Sequence, residues 1–160
     1  MLIWFAVLSV VIVAEVFRSP LVDYRLVAIG SLVPLLDVVI GRPTALHALA
    51  APVVVMAAVM AATVGRRLVR RRLLGIPIGM FLHLVLDGSW DRASLFWWPF
   101  FGTSLADEPL PEARGVTVRL VLELLGIAAA AFAYRRYGLD DPGNRRLLAR
   151  SGHLNRAVLA

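Results

Sequence analysis

Five apolar runs, separated by polar breaks, constrain this chain more than any other feature. They cover residues 2–17, 26–40, 45–64, 73–90 and 116–134. A helix needs about 20 residues to cross about 30 Å of hydrocarbon, with a lower limit near 17. The third and fifth runs meet that length comfortably, and the first and fourth only just do. The second is short and carries Gly30, Pro34 and Asp37. It reads as a kinked span or a re-entrant helix, whose broken backbone must be shielded by protein or water. The expected fold is all-α: a polytopic membrane bundle of about five transmembrane or re-entrant helices. Residues 1–134 form the transmembrane domain, with an outer loop over 91–115, and residues 135–160 form a basic cytoplasmic tail.

Composition supports a bilayer as the solvent. Of the 160 residues, 59% are hydrophobic, and the mean hydropathy of +0.76 lies above the range of soluble domains. With no cysteine, disulfides and thiolate metal sites are excluded. Met1-Leu2-Ile3-Trp4-Phe5 has no basic region ahead of the apolar stretch, and no small-x-small cleavage site follows near Glu15-Val16-Phe17. A retained first helix is expected rather than a signal peptide.

Every basic side chain apart from histidine is arginine, and the net charge is +6. The arginines are not spread as a nucleic-acid binder would spread them. Arg66, Arg67, Arg70, Arg71 and Arg72 sit between two apolar runs, and Arg135, Arg136, Arg145, Arg146, Arg150 and Arg156 follow the last run. That is the positive-inside pattern of cytoplasmic loops, so no nucleic-acid partner is expected. With these segments inside, five traversals also place Arg18 and Arg25 inside, and leave Arg42, Arg92 and Arg114 outside. The chain reads as a multi-pass protein of the bacterial plasma membrane, its C-terminus cytoplasmic.

The outer loop carries Phe96-Trp97-Trp98-Pro99-Phe100-Phe101, which has the composition of an interface anchor. An acidic, proline-stiffened turn follows at Asp107, Glu108, Pro109, Pro111 and Glu112. The tail segment Arg145 to Arg150 reads either as a basic amphipathic helix on anionic lipid or as a solvated tail.

Four polar residues in or beside the apolar runs point to chemistry. An aspartate near the bilayer centre costs about 3 kcal/mol, so retained acids and imidazoles call for a use. Asp37 lies about one turn before the link Gly41-Arg42-Pro43, and His47 about one turn after it. A helical hairpin brings both to similar depth. His83 and Asp87, four residues apart, share one helix face. The topology derived from arginine alone puts all four on the outer side. Two histidines and two aspartates are a donor set for a divalent metal, Zn or Mn before others. Asp91 continues the His83–Asp87 spacing as a candidate ligand, a support for the ligands or a general base, unless Gly88 ends the helix first.

The same residues have structural readings. His47 alone reads as an interfacial histidine, Asp37 as a partner of Arg42, and His83 with Asp87 as helix-packing hydrogen bonds. Arg119 and Glu123 have ion-pair spacing, and Arg119 is also a candidate contact for an anionic substrate. Asp23 and Arg25 read as a local loop pair, and Glu15 lies away from the candidate site.

At these positions the chain resembles the bacterial membrane-bound metal-dependent hydrolase family, over roughly residues 22–102. The resemblance rests on Gly30-Ser31-Leu32-Val33-Pro34-Leu35-Leu36-Asp37, on Arg42 with His47, on His83-Leu84-Val85-Leu86-Asp87, and on Trp98-Pro99. That family has a Gly-Ser-x-x-Pro-Asp-x-Asp box, then Arg and His, then His-x-x-x-Asp ahead of Trp-Pro. The resemblance implies metal ligation by Asp37, His47, His83 and Asp87. It also implies hydrolysis, here of a lipid-linked or phosphate ester at the outer membrane face. Leu35 stands where the family often has its first aspartate, and the resemblance then implies one metal instead of two, weak binding or lost activity, unless Asp23 or Asp91 compensates. The alternative is a non-enzymatic interaction subunit or small transporter with a vestigial or structural polar cluster. Substrate and oligomeric state are not encoded in any motif.

Overall fold

A computed structural model describes residues 1–101 and 115–159. The expected acidic turn at Asp107, Glu108, Pro109, Pro111 and Glu112 lies outside the described residues, as does Arg114. Among the described residues the fold is all-helical, as the sequence implies.

Helix α1 is Leu2–Phe17, matching the first apolar run. Helix α2, Tyr24–Leu32, starts on Asp23, whose carboxylate accepts from the Arg25 N–H. Pro34 lacks a backbone donor, so the next turn tightens to 3-10 geometry over Val33–Leu35 before α3, Leu36–Ile40. Gly41 ends α3 with φ 79°, the left-handed backbone that glycine adopts most easily. A 3-10 turn at Ala45–His47 and an extended Ala48 precede α4, Ala50–Ala62. Helices α5, Arg67–Leu73, and α6, Gly75–Asp87, follow. The chain continues through α7, Ala93–Phe96, α8, Val116–Arg136, α9, Pro142–Ser151, and α10, Arg156–Leu159.

Two lengths depart from expectation. Among the described residues only α8, at 21 residues, is long and apolar enough to cross a membrane on its own. The third run loses its start to the 3-10 turn and Ala48, leaving α4 with 13 residues. The fourth is cut by Gly88, leaving α6 with 13. The first run gives 16 residues. Residues 67–73, read as loop, are helical instead, because Arg and Leu are strong helix formers.

Small residues set how the helices pair. Gly75 and Gly79 stand four apart on the buried face of α6, and Gly30 faces them from α2. A Cβ on Gly79 would lie 2.7 Å from Ser31 N and overlap the Val27 carbonyl oxygen, and one on Gly30 would overlap the Ile76 carbonyl. The two backbones therefore touch. They also run in the same direction, since Asp23 meets Gly75 and Ser31 meets His83. Helices α1 and α8 are parallel too: Ile3 N–H donates to Glu123 (3.2 Å), and Arg136 Nε meets Glu15 (3.2 Å) at the other end. Gly126 makes room for that pairing, where a Cβ would sit 2.6 Å from Trp4 N.

One end of the molecule gathers the loop before α2, helix α5 and the tail. Tyr24 N–H donates to the Gly152 carbonyl (2.8 Å), and Arg25 Nη1 to the Ala149 carbonyl (2.6 Å). The Asp23–Arg25 loop pair forms at 3.2 Å, and Arg72 joins it at 3.2 Å. Burial pushes the Asp23 carboxyl up, but the hydrogen bonds and charges of Arg25 and Arg72 together outweigh it and hold the group below its usual range. A lowered folded pKa contributes stability that is complete above the unfolded value, about 3.9, and fades as acid carries the pH down through the folded value. Asp23→Asn is therefore expected to melt below wild type at neutral pH, with the gap narrowing as pH falls below about 4. Melting curves against pH read this directly. A gap unchanged down the acid limb would remove Asp23 titration from the account.

Large apolar side chains cover much of the outside. Val39 is 84% exposed, Val16 69% and Leu124 64%. The buried core is correspondingly small, built on Val13, Ala14, Tyr24, Val27, Tyr137 and Leu154.

Candidate functional site

Asp37, His47, His83 and Asp87 are all buried, at 0–1% exposure. The turn at Gly41-Arg42-Pro43 folds α3 back so that His47 Nδ1 lies 2.7 Å from Asp37 Oδ2. Asp37 also accepts from the Thr44 N–H (2.8 Å) and from Thr44 Oγ1 (2.6 Å). The expected alternative, an Asp37–Arg42 pair, does not form, and Arg42 is exposed. A buried carboxylate costs free energy unless its lone pairs are met, and these three bonds meet them.

His83 is fixed from α2. Its Nδ1 lies 2.6 Å from the Ser31 carbonyl oxygen. A carbonyl only accepts, so Nδ1 carries the proton and donates. Phe5 of α1 stacks on the same ring, with centroids 3.9 Å apart, and the His47 ring meets it edge-on at 5.4 Å. Asp87, one turn beyond His83 on the buried face of α6, accepts from Ser89 Oγ at 2.9 Å. The close α2–α6 approach at Gly30 and Gly79 brings the Ser31 carbonyl within reach of His83.

Two candidate catalytic residues lie elsewhere. Gly88, at φ 72°, ends α6, so Asp91 falls on a 3-10 turn and is exposed. The four-residue spacing from Asp87 is broken there, which corrects its placement on the His83–Asp87 face. Arg119 is exposed on α8, and its side chain makes no hydrogen bond or ion pair with the described residues. Nor does it pair with Glu123, which instead receives the Met1 ammonium at 3.4 Å and the Ile3 N–H. The N-terminal charge lies closer to that carboxylate than the helical neighbour does.

The donor chemistry fits a metal in part. A metal-binding histidine normally directs one ring nitrogen to an oxygen acceptor and presents the other to the ion. Both imidazoles have Nδ1 directed at an oxygen, His47 at Asp37 and His83 at Ser31. Asp37 fits poorly as a ligand, because both its oxygens already accept from the protein. Among the described residues, no three His, Asp or Glu side chains are arranged to hold an ion. Asp37 and His47 meet directly, and the two histidine rings lie edge to face with each Nδ1 directed at an oxygen.

Thr44, Ser31, Ser89 and Phe5 complete the cluster without having been singled out for it. Thr44 had a readable signal: it follows Pro43 and its hydroxyl accepts from the Leu46 N–H, opening the turn that carries His47. Searches of family models, of curated proteins and of solved structures each return no match to this chain.

Proposed function

We propose that this chain is a multi-pass protein of the bacterial plasma membrane that binds one divalent cation, Zn or Mn, through His47 and His83. It would act as a hydrolase on a lipid-linked or phosphate ester. The observation that carries the reading is the buried pair of imidazoles, each held by its Nδ1. Asp87, on the His83 face of α6, is the carboxylate that would complete the donor set.

The bundle reading draws on helix direction. Five traversals with an external N-terminus require α1, α4 and α8 to run one way, and α2 and α6 the other. The parallel α1–α8 and α2–α6 pairs agree with that parity. So does the gathering of the arginine-rich segments at the end remote from His47 and His83. The short α4 and α6 would span with the help of the flanking turns and local thinning of the bilayer.

The chain's own residues have defined parts in such a site. Asp37 fixes the tautomer and ring plane of His47, and the Ser31 carbonyl does the same for His83. Phe5 covers one face of His83 and keeps water from it. A bound cation would supply Lewis acidity toward an ester or phosphoryl oxygen and toward water.

Metal analysis tests this. Purified protein reconstituted with Zn²⁺ or Mn²⁺ is expected to retain about one equivalent, and His47→Ala and His83→Ala to retain none. If wild type and both variants come out equally metal-free, the reading fails. A second reading, a structural polar cluster in a non-enzymatic membrane subunit, draws on the complete use of both Asp37 oxygens by Thr44 and His47. It expects no metal, and loss of folding when the cluster is broken.

A further inference from the structure

We propose that the cavity between α2 and α5 binds the headgroup of an anionic phospholipid. This rests on the membrane reading above. The cavity has a volume of about 340 Å³ and is lined by Asp23, Arg25, Leu26, Ile29, Val69, Arg72 and Leu73.

Its floor is a charge-imbalanced cluster. Arg25 Nε and Nη2 and Arg72 Nε and Nη2 all reach Asp23, at 3.2–3.3 Å. Two guanidinium groups thus share one carboxylate, and one positive charge is left over. The carboxylate is 1% exposed, whereas the Arg25 and Arg72 side chains are 35% and 54% exposed. An incoming anion therefore meets cations and not the acid beneath them. The planar guanidinium suits a phosphate oxygen pair. Asp23 and the Ala149 carbonyl hold Arg25 in place, so little side-chain entropy is lost on binding.

The wall is of a different kind. Leu26, Ile29, Val69 and Leu73 are apolar, and Ile29 and Val69 are 54% and 44% exposed. A free phosphate gains nothing from them, whereas an acyl chain running down from the headgroup does. Cations at one end of a cleft and aliphatic side chains along it match an amphiphile with a phosphodiester head. The position agrees, since the cleft lies at the arginine-rich end, where a cytoplasmic leaflet of anionic lipid would sit.

The test uses the full chain in detergent, titrated with phosphatidylglycerol, phosphatidylcholine or inorganic phosphate, and the same chain in neutral vesicles. Wild type is expected to bind phosphatidylglycerol in clear preference to both other ligands. Arg72→Gln should weaken that binding about tenfold. Val69→Trp, which fills the cleft and keeps both guanidiniums, should weaken it similarly. Arg67→Gln, which removes an equal charge from the exposed side of α5, should leave it unchanged. Equal binding of the two lipids, or equal losses in Arg67→Gln and Arg72→Gln, would overturn the site in favour of diffuse surface charge. Phosphate binding as tightly as the lipid would overturn the acyl-chain wall. A chain that stays out of neutral vesicles overturns the membrane reading itself, whereas one that inserts yet ignores headgroup charge overturns only the cleft.

Discussion

Gly79→Val is expected to abolish the native packing of α2 on α6, at a cost of about 3 kcal/mol or more. The reason is backbone contact. Even the first added carbon would overlap the Val27 carbonyl oxygen and crowd Ser31 N. No rotamer relieves a clash at Cβ, so the helices must separate by an ångström or more. That separation carries the Ser31 carbonyl away from His83 Nδ1, and the cluster loses its hold on that ring. Gly115→Ala is the matched control. Among the described residues no atom lies within 4 Å of its would-be Cβ, and its φ is −54°, so its effect should stay within about 0.5 kcal/mol. Unfolding in detergent, followed by helical circular dichroism, measures both. A Gly79→Val protein as stable as wild type would mean that α2 and α6 do not meet backbone to backbone.

Asp37→Ala is the second large effect, at about 3–5 kcal/mol. It strands three donors at once: His47 Nδ1, the Thr44 N–H and the Thr44 hydroxyl. The penalty for unmet buried donors exceeds the net value of the bonds themselves. A double-mutant cycle with His47→Ala should therefore be strongly non-additive, the second change costing far less than the first. Asp37→Asn separates a positioning role from a purely structural one. It keeps an acceptor oxygen and most of the shape, and if Asp37 serves to orient His47 for a metal, affinity for Zn²⁺ should drop about 10–100-fold while the melting temperature moves little. Additive single and double variants would remove the coupling on which the cluster depends.

The apolar runs were legible where local rules agree with packing. Helix α1 takes the bounds of the first run, and α8 starts where the fifth does, because nothing inside either run competes with a helix. The third and fourth runs misled because hydropathy does not report backbone direction. Ala45–His47 and Ala48 are as apolar as a helix requires, yet they turn, since Thr44 and Asp37 offer the backbone other hydrogen bonds. Gly88 was readable as a stop, and it stops α6. The meeting of Asp37 and His47 followed from a tight link between two helical segments. The hold on His83 did not, because its acceptor is a main-chain carbonyl and no residue type encodes one. Gly75 and Gly79 were the signal left unread. Together with His83 and Asp87 they form a single four-residue repeat, small side chains followed by polar ones, down one buried face.

The parallel contact of α1 with α8 has a consequence for biosynthesis. Gly126 and Trp4, which touch, are far apart along the chain, so α1, which also packs on α2, lacks its α8 partner until that helix has been translated. Early products must wait, half assembled, with Glu15 lacking Arg136 and the ring of Phe5 lacking His83. Such a chain completes its core only once α8 has been made, and a nascent fragment ending before α8 is the form that quality-control proteases should recognise.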